Sequence, residues 1–378
     1  MTLLPLQGFT VGITADRRSN EQAELLKRRG ATVRHGPTIA THYLASDAAL
    51  REATLEVIRR RPDYLVATTG IGVRAWFEAA QSWGLGAELL AALEPARAVA
   101  RGPKAAAALQ VAGLATWKAV ASERVDEVIE LLTAQPLAGA LVAFQQYGDR
   151  NECAVDALRS EGAEVIEVPV YRWRLPEEEQ PALRLTEAAC AGQLDAVTFT
   201  SAPAAVNLMT IAERHGHAED LRAAFNERGI VAACVGPVCA EGAQATGISN
   251  IVAPPVGRLG LLVRSLSDAL LQRRRELRHP GGHLVVQGRA VLVDDSVVQL
   301  SPREHAVLTR LLRRVGAVVP KDALLRQGWP GAAVDAHAVE TTVARLRRRL
   351  GPAGEALCAV PGRGYRLAVD EIPAQPSA

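Results

Sequence analysis

The sequence predicts an α/β protein built as two similar lobes with parallel sheets, followed by a small basic domain of short strands and three helices. Three observations carry this. Segments of the first 250 or so residues recur at a fixed offset, their strands are apolar along their whole length, and the positive charge is concentrated near the C-terminus.

The duplication is direct. Pro62–Ala80 (PDYLVATTGIGVRAWFEAA) and Leu194–Ala212 (LDAVTFTSAPAAVNLMTIA) each give an acidic residue, an apolar strand, a hydroxyl pair and a helix. ARAVARGPKAAAALQVAGL and IVAACVGPVCAEGAQATGI each give a strand, a Gly-Pro turn and an Ala-rich helix ending in Gly. Leu25–Pro37 and Ala157–Pro169 match as well, and the offset stays at about 132 residues throughout. Uniformly apolar strands alternating with helices indicate parallel sheets covered on both faces. Two copies imply two lobes with a cleft between them.

Ligands of open parallel sheets bind beyond the carboxyl ends of the strands. That places Thr68, Thr69 and Gly70, with Gly102 and Lys104, and their counterparts Thr200, Ser201, Ala202 and Gly236, as candidate ligand-binding residues. Each turn opens a helix, whose unpaired N–H groups and positive dipole end suit carboxylate or phosphate. A single Ser or Thr there is more often just a helix cap. Four such turns point to a ligand with several negative groups.

At 378 residues the chain exceeds one ordinary core. It is 48% hydrophobic and 22% charged with a net charge of +2. From His283 onward there are 13 Lys and Arg against 9 Asp and Glu, and between Ser301 and Arg366 there are 12 against 5. A basic excess in a small domain marks a polyanionic partner. The five cysteines form no CxxC pair, and Cys234 and Cys239 lack histidine neighbours, so neither a disulfide framework nor a metal site is expected. The N-terminus has no basic n-region, and no apolar run reaches the length of a membrane span. The expectation is a cytoplasmic protein without membrane contact.

After Leu270 the charged, Gly-Pro-broken stretch LQRRRELRHPGGH reads as a linker. Short alternating strands follow, then LSPREHAVLTRLL, a helix with Ser301 as N-cap, Pro302 in the first turn and Glu304 completing a capping box. VPKDALLRQGW is a second helix and HAVETTVARLRRRLG a third. On a wheel Val339, Val343, Leu346 and Leu350 share one face, Thr341, Arg345 and Arg348 point away, and Thr342, Arg347 and Arg349 flank them. EALCAVPGRGYRLAV closes the domain as two strands around a Gly turn.

These motifs carry two resemblances. The paired hydroxyl turns, the paired Gly-Pro turns and the intervening VPVYRWRLP (Val168–Pro176) resemble uroporphyrinogen-III synthase over about residues 8–265. The resemblance implies two flavodoxin-like lobes, one from residues 1–37 and 173–270 and the other from 38–172. It implies no cofactor or metal, and a reaction that closes the linear tetrapyrrole hydroxymethylbilane with loss of water. Tyr171 becomes the candidate catalytic residue, a phenol able to assist departure of the hydroxyl, though it reads equally as a packed strand residue. Thr-Thr-Gly-Ile-Gly at the first turn departs from the family's usual residues, and QQYGDRN (Gln145–Asn151) adds polar groups; both put turnover in doubt.

Residues 283–370 resemble the winged helix-turn-helix of OmpR/PhoB-type response regulators, on LSPREHAVLTRLL, AVETTVARLRRRL and VPGRGYRL. The resemblance implies double-stranded DNA as partner, Thr341 and Arg345 at bases, Thr342, Arg347 and Arg349 at phosphates, and pairing on tandem half-sites. Pro361 replaces the usual wing arginine, and Arg363 is its substitute. Residues 271–282 are the expected linker and 371–378 a tail. The leading expectation is a transcription regulator whose lobes sense a polyanionic small molecule, a linear or cyclic tetrapyrrole. The alternative is an active synthase that also binds DNA; a plain synthase using its last domain for assembly ranks third.

Overall fold

The computed structural model describes residues 2–44, 48–148, 151–329 and 334–372. The chain divides into two compact units, Met1–Thr38 with Pro176–Ala378, and Ile39–Leu175. The chain opens with β1 (Thr10–Ile13), α1 (Ser19–Arg28) and β2 (Thr32–His35), then enters the second unit on β3 (Ala40–Tyr43). There follow α2 (Ala48–Arg60), β4 (Tyr64–Ala67), α3 (Gly70–Ser82), α4 (Gly86–Leu93), β5 (Arg97–Ala100), α5 (Pro103–Val111) and β6 (Thr116–Ala119). Next come α6 (Val125–Thr133), β7 (Leu141–Gln145), α7 (Glu152–Ser160), β8 (Glu164–Val168) and β9 (Tyr171–Arg174). Back in the first unit are α8 (Gln180–Cys190), β10 (Ala196–Phe199), α9 (Ala202–Arg214), α10 (Ala218–Asn226), β11 (Val231–Cys234), α11 (Pro237–Ala245), β12 (Ile251–Val252) and α12 (Leu259–Leu271).

The two parallel sheets have orders β12-β11-β10-β1-β2 and β6-β5-β4-β7-β8. Under the repeat offset β1 and β2 correspond to β7 and β8, and β4, β5 and β6 correspond to β10, β11 and β12. The sheets are therefore the same sheet twice, but neither is made from one copy of the repeat. Each copy gives its first two strands to one lobe and its last three to the other. The exchange occurs along β3 and β9, themselves equivalent segments, which pair antiparallel from Ala40↔Arg174 to Tyr43↔Tyr171.

Within each sheet the copies meet at one strand pair, β1 with β10 and β4 with β7. Both seams carry the same clamp. The Asp195 carboxylate accepts the Thr10 amide at 2.7 Å, and the Asp63 carboxylate accepts the Leu141 amide at 2.8 Å. Threonine hydroxyls close the other end, Thr14 donating to the Thr198 carbonyl and Thr68 to that of Gln145, both at 2.8 Å.

The C-terminal domain continues with β13 (Arg275–His279), β14 (Gly282–Gln287), β15 (Ala290–Val293), β16 (Ser296–Gln299), α13 (Pro302–Leu312), α14 (Lys321–Gly328), α15 (Ala336–Arg349), β17 (Leu357–Val360), β18 (Gly364–Leu367) and β19 (Asp370–Ile372). The expected linker is corrected here: Arg275–His279 is a strand, paired with β14 and β19. Only its Leu277 is buried, so its sequence shows little alternation. Of the expected tail, Glu371 and Ile372 end β19, and residues 373–378 lie outside the described residues.

This domain is seated on the N-terminal segment of its own unit. The Gln287 side-chain amide donates to the carbonyls of Leu4 and Gln7, each at 2.9 Å. The Arg289 amide donates to the Gly8 carbonyl at 2.9 Å, and its guanidinium reaches Thr10 Oγ1 at 3.1 Å. Gly8 has φ +86°, and a Cβ there would stand 2.3 Å from the Gln287 carbonyl, so only glycine fits the approach. Leu3, Val285, Ala290 and Leu292 fill the contact.

Two titratable groups at this junction are displaced in opposite senses. Burial pushes the Asp195 carboxyl up to about 6, against the Thr10 amide and the charges of Arg273 and Arg289. Burial, with the charge of Arg289, pushes the His305 imidazole down to about 4. A carboxyl raised on folding costs stability as pH rises from about 4 to about 6. An imidazole lowered on folding costs stability as pH falls from about 6.5 toward 4. The two slopes oppose each other in one window. Asp195→Asn is therefore expected to gain on the parent as pH rises from 4 to 6, by at most about 3 kcal/mol. Urea unfolding midpoints across that range measure it, and parallel curves for the two proteins would refute it.

Candidate ligand turns and nucleic-acid face

In the unit of residues 39–175, β4 runs into Thr68, and Thr69 caps α3 by accepting the Gly72 amide at 3.1 Å. The amides of Thr68 and Thr69 do not face outward as expected. Both donate to Gln145 Oε1, at 3.2 and 3.1 Å. Gln145 is fully buried, and its Nε2 reaches the Gln146 carbonyl at 2.7 Å. A side chain from the neighbouring strand thus occupies the two donors on which an anion would sit. The unusual Gly-Ile-Gly follows from it. A Cβ on Gly72 would stand 2.1 Å from Gln145 Nε2, and one on Gly70 would stand 2.2 Å from the Lys104 carbonyl in the first turn of α5. Gly102 caps α5 in extended backbone, and Lys104 is exposed beyond it. The Tyr171 phenol donates to Thr69 Oγ1 at 3.3 Å, while its ring is 3% exposed in the core of this unit. The structure therefore brings Tyr171, Thr68 and Thr69 together. Asp149 and Arg150 of the QQYGDRN stretch lie outside the described residues.

The other unit holds the matching turns in a different state. Ser201 caps α9 and Gly236 caps α11, both in extended backbone, and the Ser201 side chain makes no capping bond. Thr200 and Ser201 are partly exposed. Ala202 serves packing instead: a Cβ on Gly242 of α11 would stand 2.4 Å from its methyl. The strand registers place Thr14 where the other unit has Gln145. The short threonine side chain stops at the Thr198 carbonyl and leaves the turn open. One unit presents an open turn, and the other presents a turn filled by its own glutamine. Gln145 was not singled out from the sequence. Aligning the two copies residue by residue exposes it, because glutamine stands opposite threonine.

In the C-terminal domain the capping box forms, Glu304 Oε2 accepting the Ser301 amide at 2.8 Å. Val339, Val343 and Leu346 of α15 and Leu350 at its C-cap are at most 2% exposed, as the periodicity requires. Three of the residues expected at phosphates have partners within the domain. Thr342 is buried, with its hydroxyl donating to the Ala338 carbonyl at 2.8 Å. Arg347 turns to the Leu357 carbonyl of β17 at 2.7 Å and lies 6.0 Å from the Tyr365 ring. Arg349 pairs with the buried Glu304 carboxylate at 2.9 Å and also reaches the Gln299 carbonyl. These two arginines tie the helix to the wing and to α13. Arg345 and Arg348 are exposed, Thr341 is partly exposed, and Arg363 is exposed at the β17–β18 turn. No carboxylate among the described residues pairs with Arg345, Arg348 or Arg363.

No described helix is long and apolar enough to cross a membrane. The family model described as uroporphyrinogen-III synthase HemD matches residues 20–263, and that described as transcriptional regulatory protein, C terminal, matches residues 295–367. YjjA, an uncharacterised protein of Bacillus subtilis, is 29% identical over 263 residues, 69% of this chain and 96% of that protein. The transcriptional regulatory protein CutR of Streptomyces coelicolor is 40% identical over 92 residues, 24% of this chain and 42% of that protein. A solved mutant uroporphyrinogen III synthase of Thermus thermophilus has a TM-score of 0.59 at 29% identity, covering 70% of this chain and 99% of that one.

The filled turn makes a coupled prediction. Gly72→Ala should destabilise the protein by roughly 1–3 kcal/mol, because Gln145 must leave its place. Gln145→Ala should remove most of that penalty, yet leave the cost of Gly70→Ala, whose obstacle is backbone. A double-mutant cycle on unfolding midpoints measures both, and additive losses at 72 and 145 would sink the account.

Proposed function

Because the chain belongs to the uroporphyrinogen-III synthase family and carries an OmpR/PhoB-type DNA-binding domain, we propose that it regulates transcription by sensing a tetrapyrrole-class polyanion. The observation that carries the regulatory reading is the division of labour on α15. Arg347 and Arg349 are engaged in holding the domain together, while Arg345 and Arg348 stand outward without acidic partners among the described residues. A helix with its inner face docked and unpaired arginines outside is suited to the major groove. There Arg345 would donate to a guanine edge, and Arg348 would neutralise a phosphate.

The sensing half rests on the turns. The open Thr200–Ser201 and Gly236 turns retain the helix starts that suit carboxylates. The Gln145-filled turn has lost two of its amide donors, which favours altered binding over unaltered turnover. Seating of the C-terminal domain on Gly8 and Thr10 gives a ligand in that unit a route to the DNA-binding domain. Coupling requires that the ligand bind two arrangements of the protein unequally. The second reading, an active synthase that also binds DNA, is favoured by the Tyr171 phenol beside Thr69. Freshly made hydroxymethylbilane separates the two. Uroporphyrin III above the spontaneous type I background, after oxidation, supports turnover; type I alone beside an active synthase control leaves the sensor.

On an operator recovered by in vitro selection, Arg345→Ala should reduce discrimination against unrelated DNA by about 1–3 kcal/mol. Arg348→Ala should weaken all sequences alike and lower the salt slope by about one. Arg349→Ala should lower thermal stability, since it leaves the Glu304 carboxylate buried without its partner. Anisotropy titrations at several salt concentrations read the first two. Identical profiles for Arg345→Ala and Arg348→Ala would overturn the assignment of base and phosphate roles.

A further inference from the structure

Beside the filled turn, the unit of residues 39–175 carries a cluster that the repeat does not need. The Arg101 guanidinium stands over the Tyr147 ring, 4.5 Å from its centroid. Tyr147 meets Trp173 edge-on, with centroids 6.0 Å apart at 77°. Trp173 continues to Tyr171 at 6.2 Å, and Tyr171 to Tyr43 at 6.5 Å. Trp173 is held in place: its amide donates to the Gly148 carbonyl at 3.2 Å, and a Cβ on Gly148 would stand 2.0 Å from the indole. Arg101, Tyr147 and Trp173 are each partly exposed, and no carboxylate among the described residues pairs with Arg101.

The second copy of the repeat supplies an internal control. By strand register Arg101 corresponds to Val235 and Tyr147 to Asp16, and at the offset of the flanking strands β2 and β8 Trp173 corresponds to Thr41 and Tyr171 to Ile39. A lobe of this architecture folds without a cation or a ring at any of those positions. Arg101 follows β5 and Tyr147 follows β7, so both sit at the carboxyl end of the sheet, beside Gly102 and Thr69. At the same end Gln145 has closed the amide donors of Thr68 and Thr69. One recognition chemistry is withdrawn there and another is supplied.

We propose that Arg101, Tyr147 and Trp173 form a stacking site for a planar, fully conjugated acid, so that the ligand sensed is an aromatic macrocycle and not a flexible, non-conjugated one. This goes beyond the sensor reading, whose open turns lie in the other unit, and rests on it for the class of ligand. A guanidinium supported by one ring offers its other face to a second π-system, and its N–H groups to a carboxylate on that system's rim. A flexible tetrapyrrole with the same carboxylates can make the ion pair but not the stack.

The test uses the full chain and two probes with the same carboxylates on a conjugated planar or a reduced flexible ring, uroporphyrin III and uroporphyrinogen III, the latter kept reduced and anaerobic. Calorimetry gives the affinities, and tryptophan quenching locates the porphyrin. The expected result is at least tenfold tighter binding of the porphyrin. Arg101→Lys keeps the charge but not the plane, and Tyr147→Leu keeps the bulk but not the ring. Both should bring the ratio toward one with little change for the porphyrinogen. Trp173→Phe should abolish most of the quenching while binding persists. Equal affinities that the variants leave equal would overturn the stacking site while the sensor reading stands. Arg101→Lys leaving the porphyrin affinity and the ratio unchanged would reduce Arg101 to a simple charge, which also overturns it. Binding of neither probe would remove the sensor reading, and this inference with it.

Discussion

Each sheet depends on a single seam, the strand pair at which the two copies of the repeat meet. At that seam an aspartate one residue before a central strand takes the amide that opens its neighbour, and a threonine hydroxyl ties the other end. A parallel pair has no hairpin to fix its register, so these side chains fix it. The turns at the carboxyl ends inherit their placement from it. At the amino end, the seam in one unit also receives the DNA-binding domain, through Thr10 and Arg289. The same carboxylate that aligns β1 with β10 therefore lies under the footing of the DNA-binding domain.

Much of this was legible in the sequence. The repeat, the parallel strands, the helix starts at Thr69, Ser201, Gly102 and Gly236, and the buried stripe of α15 all followed from spacing. The exchange of strands between lobes came only with the family resemblance, because the internal similarity shows which segments are alike and not which of them pair. The strand at Arg275–His279 was hidden by charge, since its only buried residue is Leu277. On α15 residue type alone does not show which side chains the fold itself engages. Thr342 stands one turn before Leu346 and shares its inward face, and Arg347 and Arg349 find partners distant in sequence or on the wing. The sequence could count the arginines but not divide them between structure and recognition.

Inequality between the two halves of a duplicated frame is informative in itself. Where Thr14 and Gln145 differ, the difference decides whether a helix start is open to an anion. Where Val235 and Arg101 differ, it decides whether the rim of the sheet carries charge. The shared architecture cancels in such a comparison, and what remains is the part free to specialise.

The crossed connectivity has a consequence for how the protein comes into being. The unit of residues 39–175 is one continuous stretch and can close while the ribosome is still at work on the rest. β1 and β2 have no such option. Thr14 is 184 residues away from its partner Thr198, and β12 follows later still. Until then the apolar TVGI strand is on offer to other nascent chains, a situation that favours chaperone contact. The seat for the DNA-binding domain matures later again, because Gln287 and Arg289 must be synthesised before they can grip Leu4 and Gly8. Leu4 thus waits for a partner 283 residues further along the chain, and the DNA-binding domain can settle only when both are in place.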